Sequence, residues 1–233
     1  MVMRLRIFYK VISILLYVAL MFVTAATVIG YAAGYRYSFS SRKIYQVSVA
    51  HLISNPAADI IINGITEEKK TPKPVYLEPG RYNIEIKKSG YYSYFASIEL
   101  KSGELLEKKD IVLFRSGIRP EATINNNIDN SQFINDSLVN SDNPMIANNH
   151  EIWSNSKLVT RFSKNIYRAV YYTNQNYIVY QDDDGIGAIR IDGSNNVKLF
   201  DYKYKSPAAI NFKNRGQVMV ITDGTTVLSA TIN

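Results

Sequence analysis

The sequence contains no cysteine and only two histidines among its 233 residues. Without cysteine the chain forms no disulfide, no thiolate nucleophile and no cysteine-ligated zinc site. His51 and His150 stand about a hundred residues apart, without the close spacing that marks a histidine metal site or a catalytic pair. A phosphate-binding loop, a nucleophile elbow and a dinucleotide-binding fingerprint are also missing from the sequence. These absences predict a protein that is not an enzyme and that uses no metal or cofactor.

The net charge of +7 is unevenly distributed along the chain. Residues 1–35 hold three basic groups and no acid, residues 36–115 hold thirteen basic and nine acidic groups, and residues 116–233 hold eleven of each. Contact of the basic half with anionic lipid or an anionic envelope polymer is one interpretation, and an ordinary solubilising surface is the other. No dense basic patch or known nucleic-acid module is present, so we predict no nucleic-acid partner.

Long apolar runs are absent except for one, residues 11–35, which contain no charged residue. As a helix these 25 residues would extend about 37 Å, enough to cross a hydrocarbon core of about 30 Å. A soluble core helix would show a polar face at helical period, and this run shows none. The run therefore predicts a transmembrane helix, with the lipid bilayer as its partner.

A cleaved signal peptide is the alternative interpretation, because Arg4, Arg6 and Lys10 precede the run and Val23-Thr24-Ala25 resembles a cleavage site. The run is longer than the ~7–15 apolar residues of a signal peptide, which favours an uncleaved signal anchor. The basic residues on its two sides are nearly balanced, so they decide the orientation weakly. A short head at residues 1–10 before a large body suggests a cytoplasmic N-terminus and an extracytoplasmic body.

Beyond the anchor, tyrosine, isoleucine and valine are abundant and favour strands. Residues 36–48 are interpreted as a juxtamembrane stalk or a leading strand. In residues 49–115, five or six short strands separated by turns predict a small antiparallel β-sandwich. Its clearest strand is 81–87, where Tyr82, Ile84 and Ile86 alternate with polar residues. The last two strands are predicted at Tyr91–Leu100 and Asp110–Phe114.

An ordered set of short motifs runs through this region: Ser54-x-Pro56-x-Ala58-Asp59-Ile60-x-Ile62-Asn63-Gly64, Thr71-Pro72, Leu77-x-Pro79-Gly80-x-Tyr82 and Gly90-Tyr91. Together they resemble the PEGA domain, a short all-β module of membrane-anchored and surface-layer-like envelope proteins. One departure is Glu67-Glu68-Lys69-Lys70, where the family often has a glycine before the Thr-Pro pair. The resemblance implies a structural or interaction module rather than an enzyme.

Residues 116–149 differ from both flanking regions, since nine of the thirty-two residues from 118 to 149 are asparagine. We interpret them as a flexible linker or a long loop.

Strand signals return in residues 150–233. The predicted strands are 167–172, 177–181, 186–191, 197–200, 208–212, 217–221 and 226–232, with Ile152-Trp153 and Leu158-Val159 before them. Residues around Ala169 and Ile178 match those around Ala209 and Val218 at an offset of forty, a spacing typical of propeller blades. This region resembles the propeller bodies of related anchored bacterial proteins. It holds about two and a half blades, fewer than the ~4–8 that close a ring, so a shortened relative, assembly between subunits and an open sandwich all remain possible.

Two groups of residues in this region have both a binding and a structural interpretation. Asp182-Asp183-Asp184-Gly185 has the oxygen ligands of a calcium loop but lacks its later glutamate, so a plain turn is the alternative. Trp153 and the Tyr171-Tyr172 pair have rings that stack on sugars, or that pack in a strand core.

The sequence therefore predicts a mainly β, single-pass membrane protein of the cell envelope that binds or scaffolds a surface polymer or protein. The alternative is an extracytoplasmic sensor or accessory subunit for a peptide, glycan or protein. No catalytic, cofactor or metal residue is assigned.

Overall fold

The structure is a computed structural model and describes residues 2–39, 42–123, 144–222 and 226–233. It confirms a mainly β chain with one N-terminal apolar helix, α1, at Val2–Ala32. The first nine strands are β1 Tyr35–Ser38, β2 Lys43–Gln46, β3 Ser48–Asn55, β4 Asp59–Ile62, β5 Ile65–Thr66, β6 Lys73–Leu77, β7 Gly80–Lys87, β8 Tyr94–Leu100 and β9 Leu105–Val112. The remaining strands are β10 Glu121–Thr123, β11 Met145–Ala147, β12 Glu151–Ser154, β13 Lys157–Arg161, β14 Ile166–Tyr171, β15 Tyr177–Asp182, β16 Gly185–Arg190, β17 Val197–Asp201, β18 Ala209–Lys213, β19 Val218–Thr222 and β20 Val227–Thr231.

Helix α1 is long and apolar enough to span a membrane. Its segment Tyr9–Ala32 has 24 residues, a mean hydropathy of 2.5 and no buried side chain, which is consistent with a signal anchor. The Thr24 hydroxyl donates to the Leu20 carbonyl at 3.0 Å, and the Thr27 hydroxyl donates to the Val23 carbonyl at 2.7 Å. These internal hydrogen bonds lower the cost of placing both hydroxyls in lipid.

The helix ends three residues before the predicted limit at residue 35. Gly34 adopts a φ of 86°, and its amide donates to the Tyr31 carbonyl at 3.1 Å. A glycine in this left-handed conformation terminates a helix at low steric cost. Tyr35, predicted to be the last residue of the span, instead begins strand β1.

The described residues form six small sheets, and none of these closes into a barrel or a propeller. Their strand orders are β1-β2, β6-β3-β9, β5-β4-β7-β8, β11-β12-β13, β14-β15-β16-β17 and β10-β20-β19-β18. The chain divides into two compact units. Unit 1 contains Met1–His51, Pro74–Tyr82 and Ile98–Glu107, and unit 2 contains Leu52–Lys73, Asn83–Ser97 and Lys108–Asn233.

In unit 1 the predicted stalk 36–48 is a β-hairpin. Strands β1 and β2 pair antiparallel, with Tyr37 opposite Ile44. The hairpin is tied to the end of the helix, since the Val47 amide donates to the Gly34 carbonyl at 2.9 Å and the Gln46 side-chain amide donates to the Ala33 carbonyl at 3.0 Å.

In unit 2 the predicted alternation of strand 81–87 is confirmed. Ile84 and Ile86 on β7 are buried and lie opposite Ile62 and Ile60 on β4. The predicted strand 91–100 is shorter at its start, because Tyr91 makes only an isolated bridge and β8 begins at Tyr94. The predicted last strand 110–114 begins five residues too late, since β9 starts at Leu105.

The strands predicted between residues 167 and 232 are confirmed as two antiparallel groups. Strands β14–β17 form one four-stranded sheet in sequence order, here called the middle sheet. Strands β18–β20 form the other, with β10 as their fourth strand. β10 and β11 fall inside the predicted linker 116–149, of which residues 124–143 lie outside the described part of the chain.

The middle sheet is covered on both faces. On β15, Tyr177 and Val179 belong to a large apolar core that also includes Phe114 and Tyr172. Ile178, between them, belongs to a second core with Ile152 and Val159. Because successive strand residues point to opposite faces, β15 is buried on both sides, which explains its continuous apolar run.

Candidate functional site

An open cleft of about 280 Å³ lies at one end of the middle sheet. Its lining comes from the segment after β13, from strands β15 and β16 with the turn between them, and from the start of β17. The lining residues used below are Phe162, Lys164, Tyr180, Asp182, Asp184, Gly187, Asn196 and Lys198. We call this site the polar cleft.

Two aromatic rings form its apolar wall. The ring centroids of Phe162 and Tyr180 lie 4.8 Å apart, and the Tyr180 hydroxyl donates to the Asn196 side-chain oxygen at 2.7 Å. Gly187 makes room for the Tyr180 ring, because a Cβ at this position would lie 2.4 Å from its Cζ atom. Burial, followed by the charge of Asp182, raises the pKa of Tyr180 to about 12. The phenol therefore keeps its proton at neutral pH and remains a hydrogen-bond donor.

The rim of the cleft carries charges of both signs. Lys164 forms an ion pair with Asp184, and this hydrogen bond raises the pKa of Lys164. Lys198 lies 2.5 Å from Asp201, and the pKa of Lys198 is raised by that hydrogen bond. A small cleft with an aromatic wall and paired charges suits a polar ligand, such as a sugar or a short peptide with both charges, better than an apolar one.

The run Asp182-Asp183-Asp184-Gly185 forms the turn between β15 and β16. An Asp182 oxygen accepts the amides of Asp184 and Gly185 at 2.8 and 2.9 Å. Asp183 points elsewhere: it accepts the Tyr167 hydroxyl at 2.7 Å, and this hydrogen bond lowers the pKa of Asp183. The three carboxylates therefore serve separate partners, and the described ranges hold no group of three or more acidic or histidine side chains suited to a metal ion.

The two histidines occupy separate places in the fold. His51 on β3 lies 3.4 Å from a carboxylate oxygen of Glu107. His150 follows β11, and its Nδ1 lies 2.8 Å from the Lys164 carbonyl oxygen.

The aromatic residues singled out in the sequence do not form one stacking platform. The Trp153 indole donates to Glu151 at 2.9 Å, and this bond together with that from Arg161 lowers the pKa of Glu151. The Tyr171 hydroxyl lies 2.7 Å from that of Ser154. Tyr172 is buried in the large core, where its hydroxyl donates to the Gly216 carbonyl at 3.0 Å. The core-packing interpretation therefore holds for Tyr172.

A second cluster was not predicted from the sequence. The Arg190 guanidinium, at the end of β16, donates to Asp110 on β9 at 2.6 Å and to the Tyr94 hydroxyl on β8 at 3.1 Å. It also donates to Asp192 at 3.0 Å. Burial alone would raise the pKa of Asp192. Hydrogen bonds from Ser194 and the positive charge of Arg190 lower it by more, so the pKa of Asp192 is below its usual value. We call these four residues the Arg190 cluster.

Hydrogen bonds to backbone groups connect the same parts of the chain as the Arg190 cluster. We call the cluster and these hydrogen bonds together the junction. The Asn195 side chain accepts the Phe95 amide at 2.8 Å and donates to the Phe95 carbonyl at 3.0 Å. The Tyr92 hydroxyl donates to the Lys198 carbonyl at 2.6 Å. The Asn195 side-chain amide thus bonds both the N–H and the C=O of Phe95, as a neighbouring strand would. This fixes the position of Phe95 relative to Asn195.

Part of this junction lies in a segment of the chain that matches a known protein family. The segment includes Tyr92, Tyr94 and Phe95, and it ends just before Asp110. Residues 51–109 match the family model of the PEGA domain. The match confirms the resemblance for well under half of the chain. Neither the curated proteins nor the solved structures give a match to this chain.

The PEGA motif residues in unit 2 have structural roles. The Thr71 hydroxyl accepts the Ala58 amide at 3.0 Å and lies 2.5 Å from the Ser54 hydroxyl. Asn63 and Gly64 form the predicted hairpin turn with φ values of 49° and 84°, as a two-residue turn of this type requires. The PEGA motif residues thus fix the turns and loops of their own segment. The Arg190 cluster and Asn195 connect that segment, and Asp110 just after it, to the middle sheet.

Proposed function

We propose that this chain is a non-enzymatic, membrane-anchored protein of the cell envelope that acts as a surface binding or scaffolding module. Helix α1 anchors it, with residues 1–10 in the cytoplasm and the body outside. A PEGA-like β-sandwich and propeller-like β repeats make up the body. Degradation of the body by a protease added to intact cells would support this orientation, and full protection would contradict it.

The observation that carries the proposal is the partly buried junction around Arg190. It ties the PEGA-matched strands to the middle sheet by an ion pair and several hydrogen bonds rather than by a mobile linker. A fixed connection between these strands and the middle sheet within unit 2 suits display and scaffolding, because no ordering cost is paid again there when a partner binds.

The polar cleft favours the second candidate function, an extracytoplasmic sensor or accessory subunit. Its aromatic wall and paired charges provide the hydrogen-bonding groups that a peptide, glycan or protein segment needs. The two candidates differ in what occupies the cleft: an insoluble envelope polymer for the scaffold, or one stoichiometric protein partner for the sensor.

Binding of the full chain in nanodiscs to purified insoluble cell-wall polymer distinguishes them. We expect co-sedimentation with the polymer, and we expect Lys164→Glu to weaken it about fivefold, since one partly exposed charge contact contributes about 1 kcal/mol. Lys157→Glu, an exposed lysine on β13 outside the cleft, is the matched control and should bind as the parent does.

A stoichiometric partner in a pull-down, without polymer binding, would favour the sensor instead. Hydrolytic turnover by the purified chain, lost on a point substitution, would contradict both non-enzymatic candidates.

A further inference from the structure

The β1–β2 hairpin exposes an apolar face, which is unfavourable in water and indicates a contact with another apolar surface. Tyr35, Tyr37 and Phe39 alternate along the chain, and Ile44 lies directly opposite Tyr37. All four are exposed, with 87% of Phe39 and 73% of Ile44 accessible. The Tyr37 and Phe39 rings meet edge to face at 5.1 Å, so these two side chains form one apolar patch rather than scattered exposures.

The hairpin is held at the end of the membrane helix. Tyr35 follows the helix end at Ala32 by three residues. Gln46 and Val47 bind the carbonyls of Ala33 and Gly34, at 3.0 and 2.9 Å. If α1 spans a bilayer, these short bonds keep the hairpin within the interfacial layer, because it has no linker long enough to leave it.

Basic groups accompany the aromatic face. The Arg36 guanidinium lies 3.6 Å above the Tyr31 ring and donates to the Tyr31 and Tyr35 carbonyls, both at 2.8 Å. Arg42, just before β2, and Lys43, its first residue, are both exposed. Aromatic rings at headgroup depth, flanked by arginine and lysine, are the pattern that interfacial anchors share. Basic residues next to a membrane span are also attracted by anionic headgroups.

The geometry points to the β1–β2 hairpin as a second membrane contact, which lays the face formed by Tyr35, Tyr37, Phe39 and Ile44 into the interface of the bilayer that α1 crosses. Its ligand is the lipid surface itself, and the exposed Arg42 beside this face adds attraction to anionic headgroups. The inference rests on the membrane anchoring in the proposed function. It adds that the hairpin contacts the bilayer as well as the helix.

The absence of cysteine allows a clean test with single-cysteine variants. The full chain carries an environment-sensitive fluorophore at Phe39→Cys, and is placed in nanodiscs of phosphatidylethanolamine and phosphatidylglycerol. Lipids with a nitroxide near the headgroup end of the acyl chain serve as quenchers. We expect them to quench the Phe39→Cys label at least about twofold more strongly than a Lys43→Cys label, because Lys43 lies on the other face of the hairpin.

A Leu20→Cys label, near the middle of the apolar segment, separates the two ideas. Quenching of Leu20→Cys by a nitroxide near the methyl end, with equal and weak quenching at Phe39→Cys and Lys43→Cys, would overturn the hairpin contact and leave the anchor intact. Absence of quenching at Leu20→Cys would overturn the anchor. A disulfide-linked dimer of unlabelled Phe39→Cys under a mild added oxidant, with no lipid quenching of the labelled protein, would assign the face to a second copy of the chain and would also contradict the inference.

Discussion

Replacing Arg190 by alanine is expected to lower the free energy of unfolding by about 3 kcal/mol, the low end of the ~3–5 kcal/mol lost when a buried ion pair is broken, because this pair is only partly buried. The Arg190 and Asp110 side chains are only 12% and 23% exposed. Without Arg190, the Asp110 carboxylate and the Tyr94 hydroxyl lose a donor that water replaces poorly at this depth. Urea denaturation of the full chain in detergent micelles, followed by the fluorescence of the single tryptophan, Trp153, measures the loss.

Two further variants make this result specific. Arg81→Ala removes an arginine whose ion pair with Glu99 is 84% and 61% exposed, and should cost less than about 1 kcal/mol. Arg190→Met combined with Asp110→Asn leaves no unpaired charge at position 110, and the remaining Asp192 is 46% exposed to water, so the pair should recover part of the lost stability. Equal effects of Arg190→Ala and Arg81→Ala would show that the Arg190 cluster does not hold the junction.

The Phe114→Ala substitution is expected to cost a similar amount, about 3–5 kcal/mol, through lost apolar burial and the cavity left behind. Phe114 is 2% exposed and follows β9. Its ring meets Tyr172 and Tyr177 edge to face, at centroid distances of 5.5 and 5.4 Å. Phe114 comes shortly after the PEGA match, whereas Tyr172 follows β14 and Tyr177 lies on β15 of the middle sheet. The Phe114 ring therefore connects the two parts, and we expect them to unfold in one shared transition that shifts to lower urea concentration.

The matched control is Phe95→Ala. Phe95 is 59% exposed, and its contact with Asn195 is made by backbone atoms that the substitution leaves in place. Its expected cost is below about 1 kcal/mol. The far-ultraviolet circular dichroism of Phe114→Ala should change together with Trp153 fluorescence. Two separate transitions, only one of them shifted, would show that the strands near Phe114 unfold independently of the β11–β13 sheet, which carries Trp153 and packs against the middle sheet.

Features with a local cause could be predicted from the sequence. Asn63-Gly64 predicts its turn because the positive φ angles it requires are a property of those two residues. Ile84 and Ile86 predict a buried face because strand periodicity is visible within a few residues. The strands of the middle sheet were found in the same way.

Other features depend on what lies across the fold. The helix end was missed because apolarity continues to Tyr35, while the chain turns at Gly34. Strand β9 was shortened because its first half alternates between exposed and half-buried residues without a clear apolar face. β10 has only three residues and is defined by its pairing with β20. This pairing cannot be predicted from the residues of β10 alone.

The candidate sites show the same division. The Asp182–Gly185 turn was visible in the sequence, since short polar residues and glycine favour turns. The Arg190 cluster was not, because Arg190 lies 80 residues from Asp110 and 96 from Tyr94 along the chain. Along the sequence, Arg190 is visible only as a single arginine at the end of an apolar strand.

Everything proposed for this chain depends on α1 remaining in the bilayer, and alkaline carbonate extraction of membranes from cells that make the full chain tests this most directly. Carbonate strips proteins held at the surface and leaves integral proteins in the pellet. We expect the intact chain, α1 included, to stay in the pellet. Recovery of the intact chain in the supernatant, or of a shorter product that begins near Ala26, would contradict it.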